Sequence, residues 1–199
     1  MPHLAQLTIA DDADAWRDAG FTVVDGRCTI GTVTVTFVDG SDGIVGWGFA
    51  ALDDGAAPID GIPTSAVEQV APPSDHANGT TTLDHVVVTT PDSARTVAAL
   101  EAVGLPAKRT RDIGRGMQQV FFRAGEVILE LVGPVEPKGE GPAGFYGLAV
   151  NVADLDATKA HLGDRCTDPK DAVQPGRRIA TLKTRDLGIA TAIAFMSEG

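Results

Sequence analysis

The sequence predicts an α+β protein built from repeated βαβββ units, two of them paired in a C-terminal domain and one extra unit ahead of them. Two observations carry this. The segments "LAQLTIADDADAWRDAG", "LDHVVVTTPDSARTVAALEAVG" and "YGLAVNVADLDATKAHLG" repeat one order of signals: a short β-rich run, an acidic turn, and a brief Ala-rich helix closed by glycine. Each is then followed by further short runs rich in β-branched residues and bounded by turn residues.

In the first unit the helix ends at Gly20, and "GRCTIG" and "TVTVTFVDG" read as strands. Val33, Val35 and Phe37 alternate there with Thr32, Thr34 and Thr36, giving one apolar and one hydroxyl-bearing face. Residues 53–79 are rich in Pro, Gly, Ala and Asp without a sustained period, and read as a linker or irregular covering segment. The expected division is therefore 1–52, 53–79 and 80–199. The second unit starts with the strand "LDHVVV", continues into a helix with Pro91 in its first turn, and closes with "MQQVFFRAG" and "EVILELVGP". The third follows its helix with "RRIATLKT" and "IATAIAFMSE". In all three, Asp stands where an N-cap or first-turn carboxylate satisfies free amides, and Gly20, Gly104 and Gly163 stand where a left-handed C-cap is wanted.

Composition narrows the function classes. A chain of 199 residues with 43% apolar content, and no apolar run long enough for a bilayer, reads as a soluble globular protein. The N-terminus lacks the charged flank and apolar core of a signal peptide, and two cysteines are too few for a disulfide framework, so a cytoplasmic location is expected. With 27 acidic against 16 basic residues the net charge of −11 disfavours nucleic acid and anionic membranes as partners. A small-molecule ligand is the expected partner, and a local basic pocket for a small anion is compatible with this balance.

The run "LDHVVV", a helix, "VFFRAGEVILELVGP", a loop, then "FYGLAVNVADLDA" and "TAIAFMSE" resembles the vicinal oxygen chelate superfamily, which includes glyoxalase I, bleomycin-resistance proteins and extradiol dioxygenases. Residues 4–52 resemble it more loosely. The resemblance implies βαβββ modules paired into a curved sheet around a cleft, with metal ligands in metal-using members on the first and last strands of each module. It puts His85 and Glu130 at the two ligand positions of one module, and Gly147 and Ala194 at those of the other. Gln6 and Thr36 take the same positions in the first unit. Two donors leave a metal site incomplete, so the expectation is either no cofactor or a weakly bound divalent metal on His85 and Glu130.

Three readings of His85 stay open on sequence: metal ligand, metal-free catalytic group, or satisfied structural histidine. Strand parity places His85, Val87 and Thr89 on one face and the aliphatic Val86 and Val88 on the other, which directs His85 to the cleft. Glu130 within "VILELV" is a carboxylate among aliphatics, costly to bury without a partner. It is read as a general base beside His85, or else as a solvent-facing residue of an edge strand. Substrate contacts are expected from one of Arg177 and Arg178, from one of Gln118 and Gln119, with Gln119 preferred, and from Tyr146. His161, in the last turn of a helix, reads as solvated.

Two functions follow. One is a glyoxalase-like isomerase or lyase acting on a small carbonyl or carboxylate compound, with Glu130 as base and His85 assisting. The other is a metal-free protein that sequesters a small molecule, as bleomycin-resistance proteins do. The odd third module leaves an apolar face and open strand edges, expected to be covered by pairing across a two-fold axis in a homodimer rather than within its own chain.

Overall fold

Local chemistry sets the helices where the sequence places them. In the computed structural model, which describes residues 1–53, 57–68 and 73–198, helices α1 (Ala13–Asp18), α2 (Ser93–Ala102) and α3 (Leu155–Leu162) are N-capped by Asp12, Asp92 and Asp154, whose carboxylates accept backbone N–H groups of the first turn. Gly20, Gly104 and Gly163 follow at φ of 82°, 86° and 56°, backbone that side chains with a Cβ rarely adopt.

The second and third units close into one eight-stranded sheet. After β6 (Thr80–Thr89) and α2 come β7 (Ala107–Gly114), β8 (Met117–Ala124) and β9 (Val127–Pro134); after β10 (Gly144–Val152) and α3 come β11 (Lys170–Asp171), β12 (Arg178–Thr181) and β13 (Ala192–Ser197). The order β11-β12-β13-β10-β6-β9-β8-β7 repeats one arrangement twice around the antiparallel β6–β10 pair. In each half the last strand lies parallel to the first, β9 beside β6 and β13 beside β10.

The N-terminal sheet is a shortened version. Strands β1 (His3–Ala10), β2 (Arg27–Ile30), β3 (Val33–Phe37), β4 (Gly43–Ala50) and β5 (Thr64–Ala66) run in the order β2-β3-β1-β4-β5. The first unit thus has two strands after its helix where the others have three. Strand β4 pairs antiparallel with β1 as β10 does with β6, and β5 lies parallel to β4 as β13 does to β10. Part of the segment read as irregular, Thr64–Ala66, is therefore a strand. Gln6 and Thr36 do hold, on β1 and β3, the registers of His85 and Glu130 on β6 and β9.

The buried side chains of both sheets form one continuous cluster. On the face of the large sheet opposite His85, Val86, Val88, Leu148, Val150, Ile193 and Phe195 are buried. Phe21 stacks on Phe195 with ring centroids 6.2 Å apart, and Trp47 meets Phe145 edge-on at 5.1 Å. Val33 and Val35, on which a two-fold pairing was expected, are buried within the chain, where Trp16 of α1 packs against Phe37. Both valines belong to the chain's own cluster of buried side chains.

His76 clasps the covering segment to the first unit. Its Nδ1 accepts the Thr22 N–H at 3.0 Å, so the ring proton sits on Nε2, 3.1 Å from the Thr29 carbonyl. Burial, partly opposed by the Thr29 bond and by Asp75, lowers its pKa from 6.5. The unfolded chain then takes up a proton where the folded one does not. This contribution to stability is complete above pH 6.5 and is lost as pH falls below it. Melting temperature should therefore fall more between pH 7.5 and 5.5 in the wild type than in His76→Gln; equal falls would show that His76 is not the group responsible.

Candidate active site

Strand register decides which side chains share the concave face of the large sheet. Glu130 on β9 stands opposite Phe121 on β8, which stands opposite Arg109 on β7. The neighbouring row runs Arg123, Ile128, His85, Ala149 and Ala194 across β8, β9, β6, β10 and β13. Residues directly opposed across strands project to the same face. Of these, Arg109, Phe121, Arg123, Ile128 and Glu130, together with Gln119, line a cleft of about 730 Å³, closed on its far side by residues 172–175, Ile179 and Met196, and His85 stands beside Glu130 at its edge.

Glu130 is fixed by Gln119, whose Nε2–H donates to its Oε1 at 2.6 Å. Its second oxygen, Oε2, lies 4.0 Å from His85 Nε2, beyond hydrogen-bond distance, and both side chains remain 16–17% exposed. The Nδ1 of His85 is 2.8 Å from Asp84. Burial raises the Asp84 carboxyl, but hydrogen bonds from His85 and Arg177 and the guanidinium charge outweigh it and hold the group below the usual carboxylate range. An ionised Asp84 accepts a hydrogen bond from Nδ1–H, which leaves Nε2 as the ring atom facing Glu130.

Parity alone puts Asp84 on the face opposite His85. A β-bulge overrides it: Ala149 pairs with His85 and the next residue, Val150, with Leu83, so Asp84 is the extra residue and its carboxylate turns to the histidine ring. Sequence reasoning missed Asp84 for this reason, and its position beside the histidine in "LDH" was the only signal available.

The guanidinium of Arg177 is held by its neighbours through all three nitrogens. It donates through Nε to the Ser197 carbonyl at 2.9 Å, through Nη1 to Asp84 at 2.9 Å, and through Nη2 to Asn151, which in turn bonds Thr82. It orders Asp84 from behind and is not among the residues that line the cleft. Arg178 projects to the other side, onto Asp156 at the start of α3, at 2.8 and 3.0 Å. Tyr146 is 66% exposed and does not line the cleft, whereas its neighbour Phe145 packs on Trp47. His161 is exposed, and the buried Cys28 and Cys166 are free, with burial pushing the Cys28 thiol up to about 12.

The metal-ligand positions of the β10–β13 half hold no donor. Gly147 and Ala194 occupy them, and a Cβ at 147 would lie 2.3 Å from the Ala192 carbonyl oxygen and 2.7 Å from its Cβ, so no side chain fits there. Among the described residues no three His, Cys, Asp or Glu side chains converge. His85 and Glu130 thus offer two donors, Nε2 and Oε2, where zinc takes three or four from the protein. Gly147→Ala is expected to cost about 2 kcal/mol or more by forcing β10 and β13 apart, the usual cost of overpacking; an unchanged urea midpoint would show that the strands yield freely.

These features define a protein of paired βαβββ modules with an open concave cleft sized for a small molecule. Residues 84–181 match the model of the glyoxalase/bleomycin resistance protein/dioxygenase superfamily, and this region of the chain belongs to that superfamily. Among solved structures, a 4-hydroxymandelate synthase variant from Streptomyces coelicolor aligns at a TM-score of 0.67 and 16% identity over 99% of this chain and 92% of that one. A catechol 2,3-dioxygenase aligns at 0.60 and 15% identity, over 99% and 87%. Methylmalonyl-CoA epimerase from Mycobacterium tuberculosis aligns at 0.47 and 18% identity, over 61% and 90%. No curated protein matches the sequence. At these identities the likeness is one of fold, and no helix among the described residues is long and apolar enough to cross a membrane.

Proposed function

We propose that the chain is a glyoxalase-like isomerase or lyase that removes a proton next to the carbonyl or carboxylate of a small compound, with Glu130 as the base and His85 assisting. The observation that carries this reading is a carboxylate held in a cleft by Gln119 with one oxygen free, 4.0 Å from an imidazole nitrogen whose ring is oriented by an ionised aspartate. Glu130 Oε2 accepts the carbon-bound proton. With Nδ1–H held by Asp84, His85 Nε2 carries a lone pair and is placed to accept a proton from a hydroxyl of the bound compound or from the protonated Glu130. Asp84 and Arg177 act as positioning residues.

Exchange of carbon-bound hydrogen in D₂O tests this. A panel of 2-oxo acids, 3-oxo acids and their phosphate esters should contain a compound whose hydrogen next to the carbonyl exchanges faster with protein than without, followed by proton NMR. The second reading, sequestration without turnover, is favoured by the same sheet face on β10 and β13, where Gly147, Ala149 and Ala194 carry no ionisable group. A compound that binds in the cleft with no exchange would select it. On either reading the purified protein should contain less than one transition metal per chain and keep its fold in chelator; one tightly held metal per chain, lost together with folding, would overturn the donor-set argument.

A further inference from the structure

Four cations line the same cleft as Glu130: Lys108, Arg109 and Arg111 on β7, and Arg123 on β8. None of the ion pairs among the described residues uses any of them. In a chain of net charge −11 with 16 basic residues, a quarter of its lysines and arginines thus face one cleft without a carboxylate partner. The lining contains a single carboxylate, Glu130, and that one is bonded to Gln119. Unpaired like charges on one wall repel one another, and a bound anion relieves that repulsion.

The register gives the spacing. Arg109, Phe121 and Glu130 stand in one row across β7, β8 and β9, and Arg111 and Gln119 in the next. Two strand spacings separate the backbone of Arg109 from that of Glu130, about 10 Å. An anion on the β7 arginines therefore sits several bonds from the atom Glu130 reaches, with the Phe121 ring on the strand between them and Ile179 and Met196 on the opposite wall. A cleft of about 730 Å³ is also far larger than a three- or four-carbon acid fills, and falls within the range of about 300–1,000 Å³ typical of sites for larger ligands.

We infer that the ligand of this cleft is an elongated anion whose multiply charged end, a phosphate ester or diphosphate, rests on Arg109, Arg111, Arg123 and Lys108 while its carbonyl end lies at Glu130. The inference rests on the reading of this cleft as the ligand site, and adds to it the class of compound. Guanidinium groups suit the role, since each can bond two oxygens of one phosphoryl group. Strand β7 is an exposed edge, so its side chains can be changed with little effect on packing.

Calorimetry with inorganic phosphate, diphosphate and triphosphate on the intact protein tests this without a known substrate. Affinity should rise along the series by at least about tenfold per added phosphoryl group at low salt. The double variant Arg109→Ala/Arg111→Ala should weaken triphosphate binding at least about thirtyfold with an unchanged circular dichroism spectrum, while Arg185→Ala, an exposed arginine outside the cleft, should leave it unaltered. Absence of binding, equal affinity across the series, or equal loss in Arg185→Ala would each overturn the proposal. Failure here with hydrogen exchange intact would remove the anion subsite and keep the proposed reaction; triphosphate binding without exchange would do the reverse.

Discussion

Glu130→Gln should lower turnover by at least about 100-fold, the low end of what a positioned general base contributes, while ligand affinity and folding stay close to wild type. The substitution keeps the size of the side chain and an oxygen that can accept from Gln119 at 2.6 Å, so the local hydrogen bonding survives. What it removes is the oxygen facing His85 at 4.0 Å as a proton acceptor. Single-turnover measurement on the compound that exchanges hydrogen separates chemistry from binding. An active Glu130→Gln protein would eliminate the mechanism, and equal losses of affinity and rate would assign Glu130 to binding alone. Gln119→Leu should show a smaller defect, since it frees the carboxylate without removing it.

Asp11→Ala should be among the most destabilising single changes in the chain, at about 3 kcal/mol, because it strips the acceptor from three N–H groups in a buried setting. Asp11 is 4% exposed; its carboxylate accepts from the indole of Trp16 at 3.2 Å and from the backbone of Ala190 and Thr191 at 2.8 and 3.3 Å. It thereby joins the first helix to the turn that leads into β13. For a chain of this length such a loss corresponds to a fall in melting temperature of roughly 6–12 °C. Asp11→Asn should lose less, since its amide oxygen still accepts. A melting temperature within about 2 °C of wild type in Asp11→Ala would mean that the two sheets are held almost wholly by their apolar contact.

How much of this was legible in the sequence follows from the range of each interaction. The helices carry their own signals, Asp12, Asp92 and Asp154 at one end and Gly20, Gly104 and Gly163 at the other, because capping is settled within four residues. The alternation of "HVVV" and "VILELV" likewise foretold which face is buried. Partner choice between strands is not local. Nothing in "GIVGWGFA" says that β4 pairs with β1, and nothing in "TSA" marks β5. The bulge at Asp84 depends on the pairing of β6 with β10, and the engagement of Arg177 on residues 26 and 93 positions away in the chain. The cationic wall was open to sequence reading, since Arg109 and Arg111 share parity in "AKRTRD", but only once that run was recognised as a strand.

The unequal halves of the cleft bear on stereochemistry. Glu130 and His85 come from the adjacent strands β9 and β6, whereas the facing positions on β10 and β13 are Gly147, Ala149 and Ala194. On the proposed reading, a planar enolate bound here meets an acid or base on one side of its plane only. A proton taken by Glu130 would return to the face it left, so the carbon would keep its configuration and part of the original hydrogen would come back to it. Racemisation, which delivers a proton to the opposite face, would require a second ionisable group where this chain has a glycine with no room for a side chain.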